Sequence, residues 1–115
     1  MRPLLLIVED ESILRMVLTD IFTDEGYRVR TAGDGEEALA IAEREPPDVI
    51  LSDVMMPRLD GISLVQRLRD RGITARVVLT SGRHADVNLP GVRFLVKPVD
   101  LDVIAAAVAE SLAAG

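Results

Sequence analysis

"LLLIV", residues 4–8, is an unbroken apolar run. A strand with one wet face alternates apolar and polar residues. A run without alternation marks a strand covered on both faces. "VILS", residues 49–52, reads the same way. Central strands buried on both sides need helices above and below them, and the stretches between the runs supply these. Ile13, Leu14, Val17, Leu18, Ile21 and Phe22 recur at spacings of three and four, which predicts an inward helix face ending near Gly26. Asp34 can cap a helix from Gly35 to about Arg44, with Ala38, Leu39 and Ala42 inward and Pro46-Pro47 beyond it. Ile62, Val65 and Leu68 mark a third helix, closing near Gly72. "RVVLT" (76–80) and "VRFLV" (92–96) are further strands, and Asp100 caps a last helix carrying Leu101, Ile104, Ala105, Val108 and Leu112.

Strands and helices alternate throughout, which predicts an α/β fold: a doubly wound, five-stranded parallel sheet with helices on both faces. "YRVRT", residues 27–31, alternates and so belongs at an edge. With the first and third strands central, the flavodoxin-like strand order 2-1-3-4-5 follows. The 115 residues make one domain, 1–115, with 49% hydrophobic residues and no repeat or linker. A net charge of -6 argues against direct nucleic-acid binding. No apolar run approaches the roughly 18 residues of a membrane span, and the opening run is too short for a signal peptide's core. The absence of cysteine excludes disulfides and thiolate metal sites and fits a reducing cytoplasm.

Each central strand ends in polar residues: the first in Glu9 and Asp10, the third in Asp53, the fourth in Thr80 and Ser81, the fifth in Lys97. In an open parallel sheet the carboxyl ends share one edge, where such folds bind ligands. Three carboxylates gathered there disfavour one another's charge. A hard divalent cation relieves that, and Mg²⁺ takes oxygen ligands, often beside phosphate. Neutralising Asp10 or Asp53 is therefore expected to stabilise the metal-free fold. Lys97 and Thr80 remain to meet a phosphate's other oxygens.

"LIVEDE", "VILSDVMMPRLDG", "VVLTSG" and "FLVKP" together resemble the motifs of bacterial two-component response-regulator receiver domains, over residues 4 to about 112. The resemblance implies that Asp53 is the phosphoacceptor. It implies that Asp10 and Asp53 bind Mg²⁺ directly, with Glu9 acting through water and Met55 through its backbone carbonyl. Thr80 and Lys97 match the family's hydroxyl and lysine. Phe94 stands where the family has an aromatic switch residue, although an aromatic in a late strand is equally well core filler. Pro98 follows the lysine, and in the family that Lys-Pro bond is cis. The implied donor is a histidine kinase or histidine phosphotransfer protein, and the output partner is unspecified. The implied chemistry is limited to the domain's own phosphorylation and dephosphorylation. A phosphatase of the haloacid-dehalogenase type would need a second Asp where Met55 stands. A phosphorylation-independent adaptor would not need all five polar positions.

One stretch departs from the family. "SGRHADVNLPG", residues 81–91, leaves eleven residues for a crossover that normally holds a full helix. That length is close to the minimum of roughly 10–12 residues for such a connection. Pro90, Gly91 and Asn88 disfavour helix, and no apolar stripe is present. The family's fourth helix is therefore expected to be short or absent, and the domain to be a stand-alone receiver, monomeric or weakly associating.

Overall fold

The computed structural model describes residues 2–82 and 89–114. Among the described residues nine elements follow in order: β1 (Leu4–Val8), α1 (Ser12–Asp24), β2 (Arg28–Ala32), α2 (Gly35–Arg44), β3 (Val49–Asp53), α3 (Gly61–Asp70), β4 (Arg76–Ser81), β5 (Val92–Val96) and α4 (Leu101–Ala113). The strands form one parallel sheet in the order β2-β1-β3-β4-β5. The expected reduction of the β4–β5 crossover helix concerns residues 83–88, which lie outside the described residues.

Alternating strand side chains divide the core into two layers. Leu6, Val8, Ile50, Val77 and Leu79 face α2 and α3, meeting Ala38, Leu39, Leu64, Val65 and Leu68. Leu5, Ile7, Val49, Leu51 and Val78 face α1 and α4, meeting Leu18, Phe22, Ile104, Ala107 and Val108. β1 is buried along its whole length because helices cover both of its faces.

Two details differ from the sequence reading. The inward row of α1 is Leu14, Leu18 and Phe22, while Ile13 is 72% exposed and Val17 is exposed as well. Positions 13 and 17 lie one residue, about 100° of helical turn, from the row that meets the sheet. Asp100 does precede α4, but its side chain makes no capping bond. Its carbonyl instead accepts from the Val103 and Ile104 N–H groups.

Other turns follow their residues. Gly26 ends α1 with φ 98°, a conformation that costs glycine little. Asp34 caps α2 through the Glu37 N–H at 2.9 Å, and Asp60 caps α3 through the Ser63 N–H at 2.8 Å. Burial opposes the charge of Asp60, but the N–H groups of Ser63 and Ile62 outweigh it and hold its carboxyl below the usual range. Among the described residues no helix is long and apolar enough to cross a membrane.

Candidate functional site

The carboxyl ends of β1, β3 and β4 converge as the topology requires. Asp53 ends β3 opposite Thr80 of β4, and the Val54 N–H donates to the Thr80 carbonyl at 2.9 Å. Lys97 follows β5, and its N–H donates to the Ser81 carbonyl at 2.7 Å. The Lys97–Pro98 bond is cis. Lys97 Nζ donates to Asp53 Oδ2 at 2.6 Å, a charge-assisted distance. The other carboxylate oxygen, Oδ1, accepts the Met55 N–H at 3.2 Å. Asp53 thus holds two partners, with its side chain only 12% exposed against 42% for Lys97.

Glu9 is an acid whose charge is opposed by its surroundings. It is 7% exposed. Its N–H donates to the Ala32 carbonyl at 3.0 Å, and its Oε2 accepts the Glu11 N–H at 3.0 Å. Burial pushes its carboxyl above the usual glutamate range. The Glu11 N–H works against that shift, and the Asp10 and Asp53 carboxylates add to it. With Asp53 relieved by Lys97, neutralising Glu9 has the clearest benefit in metal-free protein. Glu9→Gln keeps an acceptor for Glu11 and removes the charge. A raised folded pKa costs the parent stability as pH rises through the glutamate range. The variant's melting temperature should therefore match the parent's below about pH 4 and exceed it at pH 7. An unchanged difference across that range would show that charge is not the cause.

Glu9, Asp53, Thr80 and Lys97 all line one cavity of about 540 Å³ at this edge. Asp10 lies beside Glu9 and adds to its charge crowding. Met55 is 75% exposed next to Asp53. Phe94 is not part of the cavity; it is half-buried against the α2/α3 layer, paired in register with Leu79. The donor set suits a hard cation, being carboxylate and carbonyl oxygen without sulfur. Among the described residues no group of three acidic or histidine side chains encloses a point as a full cage would. Mg²⁺ does not require one, since it commonly takes one or two carboxylates and keeps several waters.

Several supporting residues carry no sequence signal. Arg15 donates from Nη1 to the Glu9 carbonyl at 2.7 Å, tying the acidic turn to α1. Arg58, at φ 68°, pairs with Asp34 at 2.5 Å and anchors the loop after Asp53 to the start of α2. Ser52 Oγ donates to the Asp53 carbonyl at 2.9 Å. Each bond joins groups whose separation has no period, so spacing could not reveal it. The turn-rich "PRLDG" around Arg58 is the nearest thing to a cue.

An open five-stranded parallel sheet with acids, a hydroxyl and a lysine on its carboxyl edge is a doubly wound fold with its polar residues where such folds bind ligands. A family model, the response regulator receiver domain, matches residues 5–109. The chain belongs to this family and is a receiver domain of the two-component type. The transcriptional regulatory protein PdtaR of Mycobacterium tuberculosis (strain CDC 1551 / Oshkosh) is 39% identical over 102 residues, covering 84% of this chain and 50% of PdtaR. The chain therefore spans about half the length of that curated relative. The receiver domain of the hybrid histidine kinase CckA is 40% identical with a TM-score of 0.82, covering 95% of this chain and 98% of that one. A CheX-CheY-BeF3-Mg²⁺ complex from Borrelia burgdorferi contains a chain 31% identical, with a TM-score of 0.81, covering 93% of this chain and 87% of that one.

Proposed function

We propose that residues 1–115 form one receiver domain in which Asp53 accepts a phosphoryl group from a phosphohistidine. The observation that carries this reading is the contact of Lys97 Nζ with Asp53 Oδ2, 2.6 Å, on an acidic edge beside Thr80. An Asp53 oxygen attacks phosphorus in line, forming an O–P bond as the P–N bond breaks and imidazole leaves. Lys97 and the Thr80 hydroxyl bind equatorial oxygens of the transferring group, so catalysis is positioning and electrostatics. Asp10, Asp53 and the Met55 carbonyl would hold Mg²⁺, with Glu9 acting through water. When bound, the ion supplies further positive charge to the phosphoryl oxygens. The Borrelia complex with BeF3 and Mg²⁺ supports this assignment by similarity. Added Mg²⁺ should raise the melting temperature as mass action requires, and an unmoved transition would count against the ion.

Phosphorylation then draws Thr80 toward the phosphoryl group, and Phe94 fills the space behind it, biasing a two-state element. The donor is a histidine kinase or histidine phosphotransfer protein, and an output protein reads the switched state. The domain works in the cytoplasm as a monomer or weak dimer, without direct nucleic-acid contact, and its only chemistry is its own phosphoryl uptake and loss.

The experiment is incubation with acetyl phosphate and Mg²⁺, followed by intact mass. A single added phosphoryl group supports the reading. Rapid turnover without a phosphoprotein indicates a phosphatase, and no reaction indicates an adaptor.

Phosphoryl lifetime gives a further prediction. Gly82, two residues after Thr80, has open space where a Cβ would stand. Among the described residues nothing stands where a Gly82 side chain would shield the phosphoryl group from water, so the acyl phosphate should not be unusually long-lived. Gly82→Leu should slow hydrolysis without disturbing the fold. A decay rate unchanged by this substitution would overturn the argument.

A further inference from the structure

The cavity at the phosphoacceptor edge is larger than phosphoryl chemistry needs. It runs inward between α1 and α4, with walls formed by Leu14, Leu18, Leu51, Val99, Leu101 and Ile104. None of these side chains has a role in the transfer. Leu18, Leu51 and Ile104 are buried in the α1/α4 layer, and Leu14 and Val99 pack against it half-buried. Val99, directly after Pro98, is part of this lining. About 540 Å³ falls in the range of roughly 300–1,000 Å³ typical of small-molecule sites, which are also mostly apolar with a few polar groups at one end.

The mouth has a definite charge. Among the described residues, two carboxylates, Glu9 and Asp53, and one ammonium, Lys97, line it, one more negative than positive group. Asp10 adds its carboxylate beside Glu9. The one lysine is already committed to Asp53. Among the described residues that line it, the mouth carries more carboxylate than ammonium and the interior is apolar.

We propose that this recess binds a primary amine carried on an apolar body, the ammonium at Glu9 and Asp53 and the body between α1 and α4. An ammonium donates three hydrogen bonds and needs no acceptor, which suits an all-acceptor pair of carboxylates. The apolar body leaves water as it enters, which favours it over a bare ammonium. An anionic amphiphile such as a fatty acid meets the excess negative charge. A small cation without a body leaves the recess unfilled. Because the ammonium takes carboxylates assigned above to Mg²⁺, the two cations exclude each other, and amine occupancy opposes phosphoryl uptake. That competition rests on the metal assignment; the binding itself does not.

The test titrates 2-phenylethylamine, ethylamine and octanoate into the full chain without metal, following backbone amide NMR shifts, and repeats the amine titration in Mg²⁺. Saturable 2-phenylethylamine binding is expected, with shifts centred on Leu14, Leu18, Val99 and Ile104. Ethylamine and octanoate should each bind at least about tenfold more weakly. The apparent Kd for 2-phenylethylamine should rise with Mg²⁺ concentration. Val99→Phe, which fills the recess, should weaken binding by about tenfold or more while phosphoryl uptake from acetyl phosphate persists. Leu101→Lys, at an exposed rim position, adds a cation and should do the same if Val99→Phe fails to fold. Octanoate binding as tightly as the amine, no saturation, or binding unaffected by a folded recess variant would each overturn the site. Amine binding indifferent to Mg²⁺ would overturn the competition. A protein that takes up phosphoryl yet shows no amine saturation defeats this inference alone, whereas saturable amine binding without phosphoryl uptake defeats the phosphoacceptor reading alone.

Discussion

Lys97→Met is expected to slow phosphoryl uptake from acetyl phosphate by about 10²–10³-fold, the usual loss when one preorganised donor to a developing anion is removed. Methionine keeps the length and apolar stem of the side chain and removes only the charge. The lost bond is the 2.6 Å contact to Asp53 Oδ2. Stability should respond less than the rate, because Lys97 is nearly half exposed, although the shielded Asp53 carboxylate loses the ammonium beside it. A large kinetic effect with a smaller thermal one is thus the expected signature. A structural lysine would give the reverse: a lowered melting temperature and a normal rate. Lys97→Arg is not a safe control, since a planar fork cannot replace a compact ammonium at one oxygen.

Gly61→Ala should lower stability by about 1–3 kcal/mol or more and impair uptake as well. Gly61 opens α3, and its N–H donates to the Val54 carbonyl at 2.9 Å. A Cβ there would stand 2.6 Å from the Asp53 carbonyl oxygen and 3.1 Å from both Val54 Cα and Leu79 Cδ2. Two of these are backbone atoms and cannot swing away. The sign is informative, because alanine in an unobstructed helix gains roughly 1 kcal/mol over glycine. The obstruction pushes on the peptide group of Asp53, so the fold and the site should fail together. Thermal unfolding beside the acetyl phosphate rate measures both. A melting temperature equal to the parent's or higher would refute the close approach.

The sheet was legible because its signals are local. Unbroken runs at 4–8 and 49–52 mark central strands, and the alternation in "YRVRT" marks an edge. The convergence of Glu9, Asp53, Thr80 and Lys97 follows from polar residues placed just after apolar runs, since parallel strands end on one side. Helix orientation was less legible. Two adjacent i, i+4 rows of α1 are apolar, and only contact with the sheet selects Leu14-Leu18-Phe22 over Ile13-Val17-Ile21. Arg15 on the Glu9 carbonyl and Arg58 on Asp34 were invisible, because tertiary side-chain bonds leave no spacing behind. The apolar recess was invisible for a related reason: it is defined by the space left between α1 and α4, and no residue announces a gap.

The most direct measurement is the position of the phosphoryl group. Protein treated with acetyl phosphate and Mg²⁺ can be reduced with borohydride, which converts an acyl-phosphorylated aspartate to homoserine, and then mapped by peptide mass spectrometry. Homoserine at position 53 alone, and none anywhere in Asp53→Asn, is the predicted result. Homoserine at another aspartate, or none in protein that carries a phosphoryl group, would contradict the assignment of Asp53 as the acceptor.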